Sequence, residues 1–458
     1  MNLLPDIQPE YFGNLYAESE TEWLEHVFVQ PDGIRSMLSM RSVVVIGRSG
    51  SGKSTLATIL TEHVAQSSPL LTVLWRPSVP KEYQDPSMLL HQYFEEIFTA
   101  CSHSLLTYIR RRPQSYLAAI PTAQQAAAWF VQHFIRQDHR FLSRLSSGAT
   151  EDAVRALRLI LLSDFPTVFK DNTSETYLVR EFADLMTELK INGAWLIIDG
   201  LDKWRDLAPD KMTTTVVGLL SSLSWFEVDK FSLKLMVPQS MEASVLSSSG
   251  VSSKRLDTFY LTWTRDQLIK VVERRMRLAT RNDKFELADL AATSKLLSIL
   301  DKYGGQVPRG WLTLVRPFVD AYLLQNSSSD KAMPISDDDF DNILMKNQPR
   351  LRIDRKYNHV YLGFCQIDDL PPHPMRILSY LYEHAGTVCS REDLYYRAIE
   401  EMDDVPEKGE KGYQNPDSWK SRFENTVLHL RQRIEDDFKN PVYVITKRGQ
   451  GLILENVW

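Results

Sequence analysis

One stretch restricts this chain's fold more than any other. An apolar, β-branched run, "SVVVI", leads into "GRSGSGKST", and "TLATIL" continues with Leu56, Ile59 and Leu60 at helical spacing. A buried strand, a Gly-x-x-x-x-Gly-Lys-Ser loop and a helix start in that order define a phosphate-binding loop of the Walker A pattern. The glycines let the backbone curl around an anion, and the unpaired amides of the first helical turn face it. Gly47, Arg48, Ser49, Gly50, Ser51, Gly52, Lys53, Ser54 and Thr55 are therefore the expected nucleotide-binding residues. Lys53 would reach the β- and γ-phosphates of ATP, and Ser54 would ligate Mg²⁺. The loop demands a parallel sheet, so the expected class is an α/β P-loop NTPase.

A second acidic site is needed before such a loop does chemistry, and "GAWLIIDGLDKW" provides one. Trp195 to Ile198 read as a buried strand with Asp199 at its carboxyl end. Ligands of parallel sheets lie beyond those ends, so Asp199 is the expected second contact to Mg²⁺. Asp202, three residues on, is the expected residue to orient an attacking water.

The "DGLD" that follows an apolar strand resembles the Walker B of STAND signal-transduction ATPases, relatives of the AAA+ and origin-recognition ATPases. Gly200 stands where an AAA+ member carries Glu, and Lys203 where STAND members often carry an acid. The resemblance then implies slow hydrolysis, or ATP used as a switch. "LKLMVPQS" reads as the neighbouring strand, with Gln239 or Ser240 at the family's sensor place. "DTFYLTWTRDQLIKVVERRM" reads as a last strand and a helix opened by a Thr264-x-x-Gln267 capping box. "YGGQVPRGWLTLVRPF" resembles the lid segment of STAND and origin-recognition proteins, and Arg309 is there the implied sensor of the γ-phosphate.

The carboxyl-terminal part resembles the winged helix-turn-helix of OmpR-type response regulators, through "VCSREDL", "HLRQRI" and "TKRGQG" in that order. In a helix from about Trp419 to Ile434, Phe423, Val427, Leu430 and Ile434 form an apolar stripe. The opposite face holds Ser421, Arg422, Asn425, His429, Gln432 and Arg433, with no carboxylate expected to interrupt it before Asp436. These are the expected duplex-DNA contacts, with Lys447 and Arg448 of a hairpin wing on the phosphates. The acidic "EEMDDVPEKGEKG" ahead of that helix would fend off DNA or present a protein-binding surface.

Length allows about three domains, and 43% apolar residues suffice for their cores. The expected division is a lead-in over 1–40, the ATPase domain over 41–262 with a helical insertion at about 85–180, a helical lid over 263–328, a Ser- and Asp-rich linker over 329–350, and the winged helix over 351–458. A net charge of -6 excludes bulk coating of nucleic acid, so any such contact is local. Cys101, Cys365 and Cys389 fit neither a zinc pattern nor a disulfide framework, and no apolar run reaches membrane-spanning length; a cytoplasmic protein with no membrane partner is expected. The resemblance implies a bacterial regulatory or antiphage switch that self-associates with ATP and engages DNA or an effector protein. Two alternatives are a DNA-loading ATPase of the origin-recognition or transposition type, and a winged helix serving as a protein-interaction module. An ABC-type ATPase lacks its "LSGGQ"-like signature here.

Overall fold

The computed structural model describes the chain except residues 1–11, 13–22, 65–68, 79–85, 136–140, 163–173, 205–208, 222–227, 248–255, 327–331, 356–357 and 369. Parts of the expected lead-in, insertion and linker lie outside the described residues. Two compact units are present, one formed by Gly13–Gln267 and the other mainly by Leu268–Trp458.

The first unit is built on a parallel sheet. Its strands are β1 (Ser42–Gly47), β2 (Leu71–Trp75), β3 (Ala194–Ile198), β4 (Phe231–Pro238) and β5 (Leu256–Tyr260), in the spatial order β2-β3-β4-β1-β5. All four pairings are parallel, so every carboxyl end lies on one edge. The order places β4 between β1, which carries the phosphate loop, and β3, which carries the acidic pair.

Strand parity decides what covers each face. Val43, Val45, Trp195, Ile197 and Met236 pack with Leu56, Ala57 and Leu60 of the helix after the loop. Their alternates Val44, Ile46, Leu196, Ile198, Leu235 and Val237 pack against the helical insertion between β2 and β3. That insertion includes helices Pro86–Arg111, Pro121–Phe134, Glu151–Leu162 and Glu175–Glu188. Phe98 lies at its centre, with ring centroids 5.8 Å from Phe130, 5.2 Å from Phe134 and 6.0 Å from Phe182. The insertion thus covers part of that face of the sheet, together with Met212, Val216 and Leu220 of helix Pro209–Ser221.

One cation is buried inside this sheet. Lys234 of β4 has no exposed surface, and its Nζ donates to the carbonyls of Ser39 (2.8 Å) and Arg41 (2.6 Å) and lies 5.2 Å from the Trp195 ring centroid. Burial pulls its ammonium down to about 7, against a smaller opposing pull from Asp257. The unfolded chain therefore binds more protons than the folded one between about pH 7 and pH 10. Stability should rise through that window by up to ~1.4 kcal/mol per pH unit and should gain nothing as pH falls below it. Denaturant unfolding at pH 7 and pH 9 checks this. Lys234→Met should flatten the difference, and an equal slope in that variant would count against the assignment.

Helix Arg265–Thr280 begins in the first unit and continues into the second. The expected capping box is present: Gln267 N–H donates to Thr264 Oγ1 (3.3 Å), and Thr264 N–H to Gln267 Oε1 (2.9 Å). Within the second unit follow helices Thr293–Tyr303, Pro308–Asn326 and Asp337–Lys346. The last of these falls in the stretch expected to be a linker. Ser336 Oγ accepts from Asp339 N–H at 3.2 Å, Asp337 to Asp339 crowd the positive end of the helix, and buried Phe340 stacks on Phe318 at 4.6 Å. Composition suggested a loop, but cap, dipole and one aromatic anchor make a helix.

The chain then forms an antiparallel sheet of β6 (Leu351–Asp354), β7 (His359–Leu362) and β8 (Cys365–Ile367). Helix Pro372–Glu383, a helical segment from Arg391 that becomes π-helical over Leu394–Ile399, and helix Pro416–Ile434 follow. A hairpin of β9 (Val444–Lys447) and β10 (Gly451–Leu454) closes the module. Tyr303 belongs to the same core as Leu378, Phe423 and Leu430 of this module. Its carbonyl accepts from Phe364 N–H at 2.8 Å, and its hydroxyl donates to Asp436 Oδ1 at 2.5 Å. Gly305 makes that junction possible: its φ is +66°, and a Cβ there would lie 2.1 Å from the Phe364 carbonyl oxygen.

Candidate nucleotide site

The loop after β1 is shaped by glycines in the left-handed region, Gly50 at φ 79° and Gly52 at φ 93°. Gly52 is also the amino-terminal cap of helix Lys53–Ile59, which winds on as a π-helical turn, Leu60–Val64. A Cβ on Gly47 would lie 2.5 Å from Ser51 Oγ, so the first glycine of the pattern makes room for the curled loop. Lys53 is only 4% exposed, and its Nζ donates to the carbonyls of Gly47 (2.9 Å) and Arg48 (3.0 Å). That lays the lysine stem across the mouth of the loop. Ser51 Oγ is buried with no hydrogen-bond partner among the described residues. An orphaned hydroxyl, left-handed glycines and a buried cation fit a phosphate better than an ordinary turn.

The acidic side meets the loop directly. Asp199, 2% exposed, follows β3, and its N–H donates to the Trp75 carbonyl at the end of β2 (3.1 Å). Its Oδ1 accepts from Ser54 Oγ at 3.1 Å. Asp202, in the 3₁₀ turn Leu201–Trp204, places Oδ2 3.0 Å from Lys53 Nζ. Lys53, Ser54, Asp199 and Asp202 therefore converge, although 145 residues separate Ser54 from Asp199. Gln239, next after β4, accepts from Arg48 Nε at 3.1 Å, which brings it to the loop. Ser49 is exposed and Thr55 half-buried on the first helical turn.

Two further residues join the site that motif reading passed over. Arg76, one residue past β2, holds Nε 3.5 Å from Asp199 Oδ2. Trp263 donates its indole N–H to the Ser51 carbonyl at 2.7 Å, and its ring lies 3.8 Å from where a Cβ on Gly52 would be. The signal for Arg76 was available in "LWRP": a cation at the carboxyl end of a parallel strand, on the edge where ligands bind. Arg309, the implied lid sensor, lies in the first turn of helix Pro308–Asn326 in the second unit and is half-buried there.

In the carboxyl-terminal module, helix Pro416–Ile434 buries Phe423, Val427, Leu430 and Ile434 as the stripe requires. Ser421, Arg422, Asn425, His429, Gln432 and Arg433 are all exposed. The expectation of an acid-free face needs correction. Glu424 is exposed on its flank and pairs with Arg391 at 3.6 Å, and Arg422 is drawn to Glu400 at 3.3 Å and to His373 Nε2 at 3.1 Å. Glu424 stands on the helix itself and its place follows from the same periodicity, whereas Glu400 is brought by a neighbouring segment. Lys447 pairs with Glu455 across the hairpin at 3.6 Å, whereas Arg448 is exposed at its turn.

Cys101, Cys365 and Cys389 are free thiols. Among the described residues no helix is long and apolar enough to cross a membrane, and no group of three or more His, Cys, Asp or Glu could hold a metal ion.

No family model matches the chain, and no curated protein matches it. Among solved structures it is similar to Cdc6p from Pyrobaculum aerophilum, at 14% identity and TM-score 0.37, over 98% of this chain and 94% of that one. It is also similar to the Aeropyrum pernix ORC1 protein in complex with DNA, at 12% identity and TM-score 0.35, over 98% of this chain and 92% of that one. A Walker-type ATPase of Pyrococcus abyssi has 11% identity and TM-score 0.35, over 97% of each chain. Likeness at this level carries no weight for function, which rests on the parallel sheet and the convergence of Lys53, Ser54, Asp199 and Asp202.

Proposed function

We propose that the chain is an ATP-binding, slowly hydrolysing switch of the STAND type, whose nucleotide state governs self-association and a DNA-binding winged helix. The observation that supports it most is the meeting of Lys53 with Asp202 and of Ser54 with Asp199, at 3.0 and 3.1 Å, at the mouth of a glycine-shaped loop. Mg²⁺-ATP, when bound, supplies the phosphoanhydride bond and the charge that these residues answer. Lys53 exchanges the Asp202 carboxylate for phosphate oxygens. Ser54 and Asp199 supply oxygen ligands to the metal. Asp202, released from Lys53, is then positioned to hold a water by hydrogen bonding. Arg309 is the lid's sensor in this reading, and the arrangement of sheet, helices and hairpin in the second unit supports the winged helix.

The duplex contact is tested by titration of the full chain at two salt concentrations. Arg433→Ala should lower duplex affinity about tenfold, and Arg448→Ala should reduce the salt slope by about one unit. No duplex binding at low salt would leave the module as an interaction surface. One observation favours that second reading: Arg376, Arg391, Arg397 and Arg422 each lie within 3.0–3.6 Å of a carboxylate of the same module. Those pairs lower the positive field that a phosphate backbone would meet.

A further inference from the structure

The phosphate loop has a weak point in the peptide unit between Ser51 and Gly52. Gly52 sits at φ 93°, and a glycine tolerates either orientation of the peptide before it, as the type I and type II turns show. The two orientations differ in what faces an anion. Carbonyl and N–H of a trans peptide point opposite ways, so one orientation offers the Gly52 N–H to a phosphate and the other offers the Ser51 carbonyl, which repels it. The indole of Trp263 settles the choice: its N–H donates to the Ser51 carbonyl at 2.7 Å, and Ser51 is only 1% exposed, so that bond is shielded from water.

Trp263 comes to the loop as a fixed donor. Before it, Leu261 N–H donates to the Ile46 carbonyl at 2.8 Å, which carries the chain onward from β5 beside the end of β1. After it, the Thr264–Gln267 capping box sets the start of the next helix, and Gln267 Nε2 donates to the Gln30 carbonyl at 3.4 Å. The ring packs on the cluster that contains Leu56, Ala57 and Leu60 of the helix following the loop. Anchored on both sides and packed through its ring, the indole loses little further freedom in making the bond.

We propose that Trp263 is a positioning residue for the nucleotide: it holds the Ser51–Gly52 peptide with its carbonyl outward and the Gly52 N–H toward the phosphates. The assignment rests on the nucleotide reading above and deepens it. Without the indole, the buried Ser51 carbonyl is left without a donor, a cost that turning the peptide over relieves. The turned peptide withdraws the Gly52 N–H from the anion and sets an acceptor against it. Trp263 acts in this way on the phosphates and not on the base, so a nucleotide and a bare pyrophosphate depend on it alike.

The test is calorimetric titration of the full-length wild-type chain, Trp263→Phe and Trp263→Ala with Mg²⁺-AMP-PNP, Mg²⁺-ADP and Mg²⁺-pyrophosphate, alongside thermal unfolding of each. Phenylalanine keeps an aromatic ring and removes the donor. Trp263→Phe should weaken all three ligands about tenfold, and Trp263→Ala by at least as much. Unchanged affinity in Trp263→Phe, with or without a lower melting temperature, would overturn the assignment, because the ring then serves packing alone. Losses for both nucleotides but not for pyrophosphate would also overturn it and put the ring on the base. Should neither variant fold, the wild-type chain with isotope-labelled tryptophan decides. A phosphate on the Gly52 N–H polarises the peptide that Trp263 bonds, so one of the ten indole N–H signals must shift with pyrophosphate, and ten unmoved signals overturn the assignment. A wild-type chain that binds none of the three ligands would overturn the nucleotide reading itself, and this assignment with it.

Discussion

Lys53→Ala is expected to lower ATP affinity by at least about a hundredfold, because two charge-assisted bonds to phosphate at ~1.5–3 kcal/mol each are lost together. The same ammonium now holds the loop mouth through the Gly47 and Arg48 carbonyls and neutralises Asp202 at 3.0 Å. Its removal leaves that carboxylate unopposed beside incoming phosphate, which adds repulsion to the lost attraction. Alanine is compatible with the helix, so the sheet should remain folded; circular dichroism and thermal unfolding verify this. Binding is measured by calorimetry, and assembly by size-exclusion profiles with and without ATP. Unchanged ATP affinity in the variant would remove the phosphate role of Lys53. Identical wild-type profiles with and without nucleotide would instead remove the switch while leaving the site intact.

The parts of this site that could be read in the sequence are those in which one short segment carries its own context. "SVVVI" followed by Gly47 to Ser54 is strand, loop and helix within a few residues, and Asp199 ends an apolar run of the length a buried strand needs. The cross-sheet contacts of Arg76 and Trp263 belong to no motif. Arg76 meets Asp199 over a separation of 123 residues, and Trp263 meets Ser51 over 212, because the strand order and not the chain order makes them neighbours. The faces of β1 were hidden for a related reason. An all-apolar strand covered on both sides has no polar alternation to show that Val43 and Val45 point one way and Val44 and Ile46 the other. Composition did not reveal the helix within 329–350, where Ser336 is a helix cap and Phe340 an anchor. In helix Pro416–Ile434 the stripe was read correctly; Glu424 stands on that helix and was legible in the sequence, whereas the approach of Glu400 to Arg422 depended on packing and side-chain reach.

Glu435→Ala should destabilise the carboxyl-terminal module by about 3 kcal/mol or more, although the sequence presents Glu435 as one acid among several. The residue caps helix Pro416–Ile434 and is 8% exposed. Its carboxylate accepts from Val442 N–H at 2.7 Å, Tyr443 N–H at 3.0 and 3.2 Å, and Val444 N–H at 2.8 Å. Alanine leaves these amides, at the root of the hairpin, without an acceptor. Arg431, which donates to the Val444 carbonyl and to Thr446 Oγ1 at 2.7 Å, cannot replace it because arginine has only donors. The loss should appear as lower unfolding stability and faster amide exchange at Val442, Tyr443 and Val444, and unchanged protection there would refute it. Glu435→Gln separates structure from charge. If Glu435 acted on a duplex only as a repelling charge, glutamine would strengthen duplex binding. If it acts by fixing the hairpin, glutamine sets an amide N–H₂ against backbone N–H groups, and duplex binding weakens as the turn that carries Arg448 loosens.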